Sequence, residues 1–544
     1  MTMMKICLVR PPTAHSRTTF TSGVGIPPIG VASLAANVEK AGHTAVVIDA
    51  LGSAIDRFYK ISRLNVVING LSIDEIVERI PSDVELIGLS CMFSNEWFFY
   101  ELIIQQIKRL FPHVPIVVGG EHVTAEWNHL LALCPEVDFC AIGEGEETLV
   151  DLIKAIEESS DLTQVDGIAL RVNGAPHRNS PRKRKKYLDE FALPDWDKIP
   201  VQNYLSAGYS FTTINRRSMP ILASRGCPFT CSFCTSPQMW GTQLYFRNAK
   251  SVVDEIEFYY KKYQIEHVDF CDIVGILNET WATELLTLLK ERNLPVTWLH
   301  GAGTRSEILN EKMLDLFKDS KALRIFYAPE SGSKTTIKKI RKRVDLDKIK
   351  RSMGFANQRG LSMRSSLIFG FPNQTIKEAF ENILFGLKVT LIGVDDVVCH
   401  IFSAHPGTEY YKTLANSQSM NLEKMILEGK YNDFLRGQVL TKIWGQKSWS
   451  EHLPDWSLPF FQIGTMALNY TIQFLVRPWR FFHSINRTLV KRKPLTLFDH
   501  VLYRIFIGPK FKIKYNLLPE YSLSTQNLLV SIPQPVTSTN EMAI

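Results

Sequence analysis

The stretch Arg225-Gly226-Cys227-Pro228-Phe229-Thr230-Cys231-Ser232-Phe233-Cys234 decides how the rest of the chain is read. Its cysteines are spaced C-x3-C-x2-C, directly after an apolar strand candidate, Met219–Ala223. Nine cysteines scattered over 544 residues would produce that spacing by chance roughly 0.002 times per chain. Three neighbouring thiolates suit a soft metal centre. Zinc sites usually take four ligands, often as two Cys pairs, and no second pair follows. A cubane iron–sulfur cluster takes one ligand per iron, so three cysteines leave one iron open to a substrate or a second cofactor. A zinc or redox trio is the alternative on the residues alone.

Around this stretch lies a repeated strand–helix rhythm. Downstream, strand candidates are His267–Asp272, Val296–His300, Arg324–Ala328, Ser365–Phe369 and Asp396–Phe402, with helix candidates between them. Repeated βα units suggest a full or partial barrel, whose chemistry belongs at the carboxyl ends of the strands. Upstream, Lys5–Val9, Thr44–Asp49, Glu85–Ser90, Pro115–Val118 and Asp138–Ile142 alternate with helices such as Ile29–Ala41 and Trp97–Leu110, the rhythm of a parallel sheet. Gly119-Gly120 and Gly143-Glu144-Gly145-Glu146 sit where those strands end. Ligands of such sheets bind there, and glycines let a flat cofactor approach the backbone.

Between the two rhythms, residues 160–204 read as a connector, with a hairpin over Asp166–Arg178 and a solvated basic run, Arg182–Lys186. Beyond residue 415 the chain is rich in Trp, Phe and Leu, with many basic residues from Arg477 to Lys514. That segment predicts a cap that packs on the barrel and closes the substrate pocket, or a basic-aromatic surface lying on an anionic membrane. The last twenty or so residues read as a frayed polar tail.

Hydrophobic content of 45% and charged content of 22% describe a globular chain with a large core. A net charge of +7 on this length is too mild to imply nucleic acid. The N-terminus has only a few apolar residues before Pro11-Pro12, so it reads as a strand rather than a signal peptide. No apolar run approaches a membrane span. A reducing cytoplasm is the expected compartment, with a peripheral contact to the inner membrane as an option.

The cysteine spacing resembles the signature of the radical S-adenosylmethionine (SAM) superfamily. In that family Cys227, Cys231 and Cys234 would hold a [4Fe-4S] cluster whose open iron chelates SAM. The resemblance implies that Phe233 packs near the adenine and that Asp272 contacts the SAM amino group, although Ile273 and Gly275 depart from the family pattern. It further implies that Glu330 and Ser331, in an "ESG" segment, reach the ribose. Gly370 and Pro372, in a "GxP" turn, would meet the adenine, and Arg364 would pair with the SAM carboxylate. His405-Pro406-Gly407-Thr408 resembles the end of the family's barrel, and Lys342 matches a frequent lysine of unassigned role.

The N-terminal loops are similar to those of the cobalamin-binding domain that precedes the barrel in one large radical SAM subgroup. They imply cobalamin contacts from Ser90, Met92, Gly119, Gly120, Glu121, Gly143, Glu144 and Gly145. The D-x-H-x-x-G motif is absent, because His15 stands in Ala14-His15-Ser16-Arg17, so the lower cobalt face is expected to lack a histidine. No G-x-G-x-x-G follows the first strand, which argues against a dinucleotide site.

The expected fold class is therefore α/β. It comprises a Rossmann-like cobalamin-binding domain over 1–160, a linker over 161–204, a radical SAM partial barrel over 205–415, a mostly helical cap over 416–525 and a disordered tail over 526–544. The expected activity is methylation of an unactivated carbon of a lipid, peptide or natural-product substrate. It would use the cluster, SAM, cobalamin and an external electron donor such as flavodoxin or ferredoxin. A cobalamin-dependent radical cyclase or rearrangement enzyme is the first rival. A non-catalytic cobalamin or cluster sensor is the second.

Overall fold

The computed structural model describes residues 3–16, 25–64, 66–210, 215–303, 309–415, 422–440, 446–507 and 519–521. The expected tail over 526–544 lies outside them.

The strand Lys5–Arg10 is nearly continuous in apolar residues and buried along its centre. That pattern belongs to the middle of a parallel sheet covered on both faces. Thr44–Asp49 pairs on one side of it and Leu86–Ser90 on the other, followed outward by Ile116–Gly119 and Phe139–Ala141, all parallel. The hairpin Ile168–Val172 and Ala175–Arg178, expected in a linker, instead extends this seven-stranded sheet as its antiparallel edge. A small antiparallel sheet of Thr13–Ser16, Val66–Asn69 and Phe58–Ile61 was not foreseen from the sequence. Its strands are short and carry too little alternation to stand out.

The second sheet holds six parallel strands in chain order: Ser218–Ile221, His267–Phe270, Thr297–His300, Ala322–Glu330, Met363–Phe369 and Asp396–Ile401. Its first and last strands do not pair, so the barrel is open. Met363–Phe369 shows why the curved sheet forms. Met363, Ser365, Leu367 and Phe369 are buried, while Arg364, Ser366 and Ile368 between them are half-buried. A period of two puts one set against the outer helices and the other toward the lumen.

The C-terminal helices Thr465–Val476, Pro478–Ile485 and Leu497–Phe506 form part of the expected cap. They pack at the amino ends of the strands. Arg324 Nη1 donates to the Leu495 carbonyl at 2.8 Å, and the Leu497 N–H donates to Asp396 at 3.1 Å. The Asn215 side chain, just before the first barrel strand, donates to the Tyr503 hydroxyl at 2.6 Å. An earlier stretch of the expected cap lies at the opposite end, where the cysteines are: the Ser450 hydroxyl donates to the Gln374 carbonyl at 2.6 Å, and Trp449 shares a buried cluster with Phe371 and Phe402. A separate helix, Tyr431–Leu440, folds back on the N-terminal domain through Tyr431 to Glu126 and Asn432 to Glu101.

Candidate active site

The cysteine loop begins at the carboxyl end of the first barrel strand. Gly226 has φ +104°, and a Cβ there would lie 2.0 Å from the Gln243 carbonyl oxygen, so only glycine fits. Asp272, at the carboxyl end of the next strand, accepts from the Ser224 hydroxyl and from the Ala223 N–H at 3.2 Å. It is buried, and burial pushes its carboxyl up to about 6. Its oxygens therefore fix the root of the cysteine loop.

The middle of the loop is held by backbone. The Ser232 N–H donates to the Ile340 carbonyl, and the Ser232 carbonyl accepts from the Tyr410 N–H, both at 3.1 Å. Cys227, Cys231 and Cys234 are half-buried and in no disulfide. The Cys234 thiol donates to the Ser236 hydroxyl at 3.2 Å. Among the described residues no three His, Cys, Asp or Glu side chains form a closed metal cage. Three accessible thiols on one anchored loop nevertheless supply the donor chemistry of an iron–sulfur centre.

Around this loop the structure gathers some of the expected SAM residues and diverts others. The Phe233 ring lies 5.6 Å from Phe371, beside the buried Pro372. Lys342 Nζ sits 5.9 Å from the centre of the Phe233 ring and pairs with Glu330 at 2.8 Å. Gly370, at φ +83°, donates its N–H to Gln374 at 2.7 Å and shapes the turn. These residues form one wall of the mouth.

Ser331 is fully buried, and its hydroxyl donates to Asn382 at 2.7 Å, so it supports the segment from behind and does not reach into the mouth. Arg364 stands one residue into its strand, at the amino end. It pairs there with Asp396 at 3.0 Å, far from the cysteine loop.

The N-terminal sheet presents its strand ends to the same mouth. Ser90 and Gly119 are paired neighbours at the carboxyl ends of adjacent strands. Met92, 40% exposed, follows Ser90. Gly120 has φ +118°, and a Cβ there would lie 2.7 Å from the Cys91 carbonyl oxygen. Gly120 opens the helix Glu121–Leu133, and Gly145 opens Glu146–Glu157. Gly143, at φ +78°, donates its N–H to Thr124 at 3.0 Å. Small residues and half-exposed strand ends fit a broad flat group approaching the backbone. His122 is buried with its Nδ1 2.9 Å from Ser94, and His15 belongs to the small sheet.

Two contacts join the domains at this point. Thr235, next to Cys234, donates its hydroxyl to Glu121, and Thr124 donates to the Met239 sulfur at 3.3 Å. Burial raises the Glu121 carboxyl. The helix that opens at Gly120 thus rests directly on the helix Ser236–Trp240 that follows the third cysteine.

A buried charge cluster fastens the same seam. Arg225 pairs with Glu146 at 2.5 Å and Glu144 at 3.4 Å, while Arg184 pairs with Glu144 at 3.3 Å. Arg184 Nη1 also donates to the Gln243 carbonyl at 2.7 Å. Glu144 therefore pairs with two arginines. The basic run Arg182–Lys186 is a strap across the domains, not a solvated linker. Sequence reasoning missed it because its acidic partners lie some forty residues away. Glu146→Gln should strip Arg225, only 9% exposed, of its main counter-charge and destabilise the chain by about 3 kcal/mol. A denaturant titration checks this; a midpoint shift below the equivalent of about 0.5 kcal/mol would assign the cluster no structural role.

His300 was also not singled out by the sequence. It ends the third barrel strand, is 4% exposed, and neither ring nitrogen has a partner among the described residues. Burial pushes it down to about 4, so it is neutral at pH 7 and keeps one donor and one acceptor.

Comparisons with known proteins agree with this geometry. Residues 221–385 match the radical SAM superfamily, and residues 18–153 match the B12 binding domain. The chain is thus a radical SAM enzyme. It is of the kind that carries a B12-binding domain ahead of the barrel, and its cofactors are cobalamin, SAM and the iron–sulfur cluster. It is 28% identical to an uncharacterized methyltransferase of Pyrococcus horikoshii, over 77% of this chain and 84% of that one. It is 23% identical to the anaerobic magnesium-protoporphyrin IX monomethyl ester cyclase of Synechocystis, over 89% and 90%. Its fold resembles that of the radical SAM methyltransferase TsrM from Kitasatospora setae, with a TM-score of 0.59 at 18% identity, over 78% and 76% of the two chains.

Proposed function

We propose that the protein is a cobalamin-dependent radical SAM methyltransferase acting on a carbon centre of a small-molecule, lipid or peptide substrate. The observation that carries this reading is the contact of Glu121 and Thr124 with Thr235 and Met239. It sets the loops suited to cobalamin against the loop suited to the cluster, so that two cofactors serve one mouth.

In this reading Cys227, Cys231 and Cys234 hold three irons. Phe233, Gly370 and Pro372 border the adenine. Glu330 accepts from the ribose hydroxyls, and Lys342, paired with it at 2.8 Å, fixes its direction. Ser90, Met92, Gly119, Gly120, Gly143 and Gly145 line the cobalamin, and Glu121 ties that lining to the cysteine loop. When bound, the cluster and SAM supply a carbon-centred radical and cobalamin supplies a methyl group. The protein orients the partners and excludes water. A low-potential donor of the flavodoxin or ferredoxin kind would deliver electrons.

The Synechocystis relative, matched over nearly the whole chain, favours a radical cyclase as the second reading. Anaerobic reconstitution with iron, sulfide and cobalamin, followed by mass spectrometry with candidate substrates, separates the two. Methyl transfer yields a product heavier by one methyl-for-hydrogen exchange, together with S-adenosylhomocysteine. 5′-Deoxyadenosine with an unmethylated, oxidised product would overturn the methyltransferase reading in favour of the cyclase.

A further inference from the structure

The C-terminal helices are built inside out. On Thr465–Val476 the buried residues are Thr465, Asn469 and Gln473, one helical turn apart, while Leu468, Leu475 and Val476 are exposed. On Pro478–Ile485 the buried residue is Ser484, and Trp479 and Phe482 are exposed. On Leu497–Phe506 it is Asp499, and Ile505 and Phe506 are exposed. A helix in water places these classes the other way round.

The packing beneath follows the same inversion. The helix Ile376–Ile392 meets Thr465–Val476 through Gly386 and Thr390. A Cβ on Gly386 would lie 3.1 Å from the Asn469 amide, and the Thr390 hydroxyl donates to Asn469 at 2.5 Å. Small residues at the contact with polar side chains as glue are how helices pack where the outside is not water. The outer face of Ile376–Ile392 continues the apolar surface with Phe380, Leu384 and Leu391 exposed, and Phe380 touches Phe461 edge-on. Single exposed apolar residues need no explanation, but a contiguous patch of this kind marks an interaction surface.

Charge selects the occupant. Residues 456–507 contain seven Lys and Arg and one acid, Asp499, which is fully buried and paired with Arg487 at 2.9 Å. The exposed face therefore carries cations with no exposed anion of its own. A second copy of the chain would oppose like charge to like charge across the patch. An anionic lipid surface complements both the charge and the apolar side chains, and exposed Trp456 and Trp479 suit its headgroup layer. Among the described residues no helix is long and apolar enough to cross a membrane. We infer that residues 456–507, with the outer face of Ile376–Ile392, dock the enzyme in the plane of an anionic bilayer. This inference stands independently of whether the reaction is methyl transfer.

Vesicle flotation of the full chain tests it. Phosphatidylcholine vesicles containing phosphatidylglycerol should carry the protein upward, pure phosphatidylcholine should do so at least about fivefold less well, and high salt should narrow the difference. The double variant Phe482→Ser/Val490→Ser should lose about tenfold or more in vesicle affinity. Both side chains are exposed, so its melting curve should match wild type. Lys491→Gln/Arg492→Gln should weaken binding to the anionic vesicles and leave binding to neutral ones unchanged. The inference is overturned if wild type fails to float, or if the double variants float like wild type. It is equally overturned by a concentration-dependent dimer that Phe482→Ser/Val490→Ser abolishes while flotation is absent.

Discussion

Cys231→Ala is expected to bring SAM cleavage below detection while cobalamin still binds. Two cysteines cannot hold a cubane that needs one ligand per iron with a single site left open. The iron content of reconstituted protein should therefore fall from about four per chain toward the background. Cobalamin binding should persist because its proposed lining belongs to the other sheet. The loop's own position is also kept, since Ser232 anchors it through its backbone on both sides. Assays with dithionite as reductant remove any dependence on the natural electron donor. Cleavage that survives in Cys231→Ala, or cobalamin binding lost with it, would sink the assignment of this loop to the cluster and of the other edge to cobalamin.

How much of this was legible beforehand follows from sequence distance. The cysteine motif is a local signal, and the structure puts its three thiols on one loop at a strand's carboxyl end. Strands were legible for the same reason: Thr44–Asp49 is a short, mostly apolar run, and Ser365–Phe369 was read from the apolar end of Met363–Phe369. The glycine turns were also local. Gly120 and Gly143 do adopt positive φ where the sheet ends.

Less legible were the partners that charged and polar side chains find within the protein. Arg364 looked suitable for a carboxylate, and it does bind one, but the carboxylate is Asp396, thirty-two residues on. Ser331 and Asp272 carry the residue types that a ligand would need. Both are buried and spend their hydrogen bonds on the protein. Glu144 is taken by Arg184 and Arg225 for the same reason. A sequence motif reveals which groups are available, but burial and competition from distant residues decide which remain free. Lys342 illustrates the converse: its place beside Glu330 and Phe233 gives a role to a lysine that the sequence could only note.

Asp396→Ala should produce the largest loss of stability in the chain. Asp396 is 1% exposed and receives Arg324 at 2.7 Å, Arg364 at 3.0 Å, the Tyr470 hydroxyl and the Leu497 N–H. It thereby joins two barrel strands to two C-terminal helices. Removing it leaves the guanidinium of Arg324, itself 2% exposed, without its counter-charge, which should cost about 3–5 kcal/mol. On a chain of this size that corresponds to a fall in Tm of about 3–4 °C.

The pH dependence distinguishes an ion pair from simple packing. Burial works to raise the Asp396 carboxyl, but Arg324, Arg364 and Tyr470 outweigh it and hold it well below the usual carboxylate range. A depressed carboxyl stabilises the fold fully above its unfolded pKa of about 3.9 and loses that contribution as pH falls through the folded value. The stability gap between wild type and variant should therefore be flat from about pH 8 to 5 and shrink only in acid below about pH 4. Denaturant titrations across that range measure it. A gap that changes between pH 5 and 8, or a loss under about 1 kcal/mol, would mean that Asp396 is not what holds the C-terminal helices to the base of the barrel.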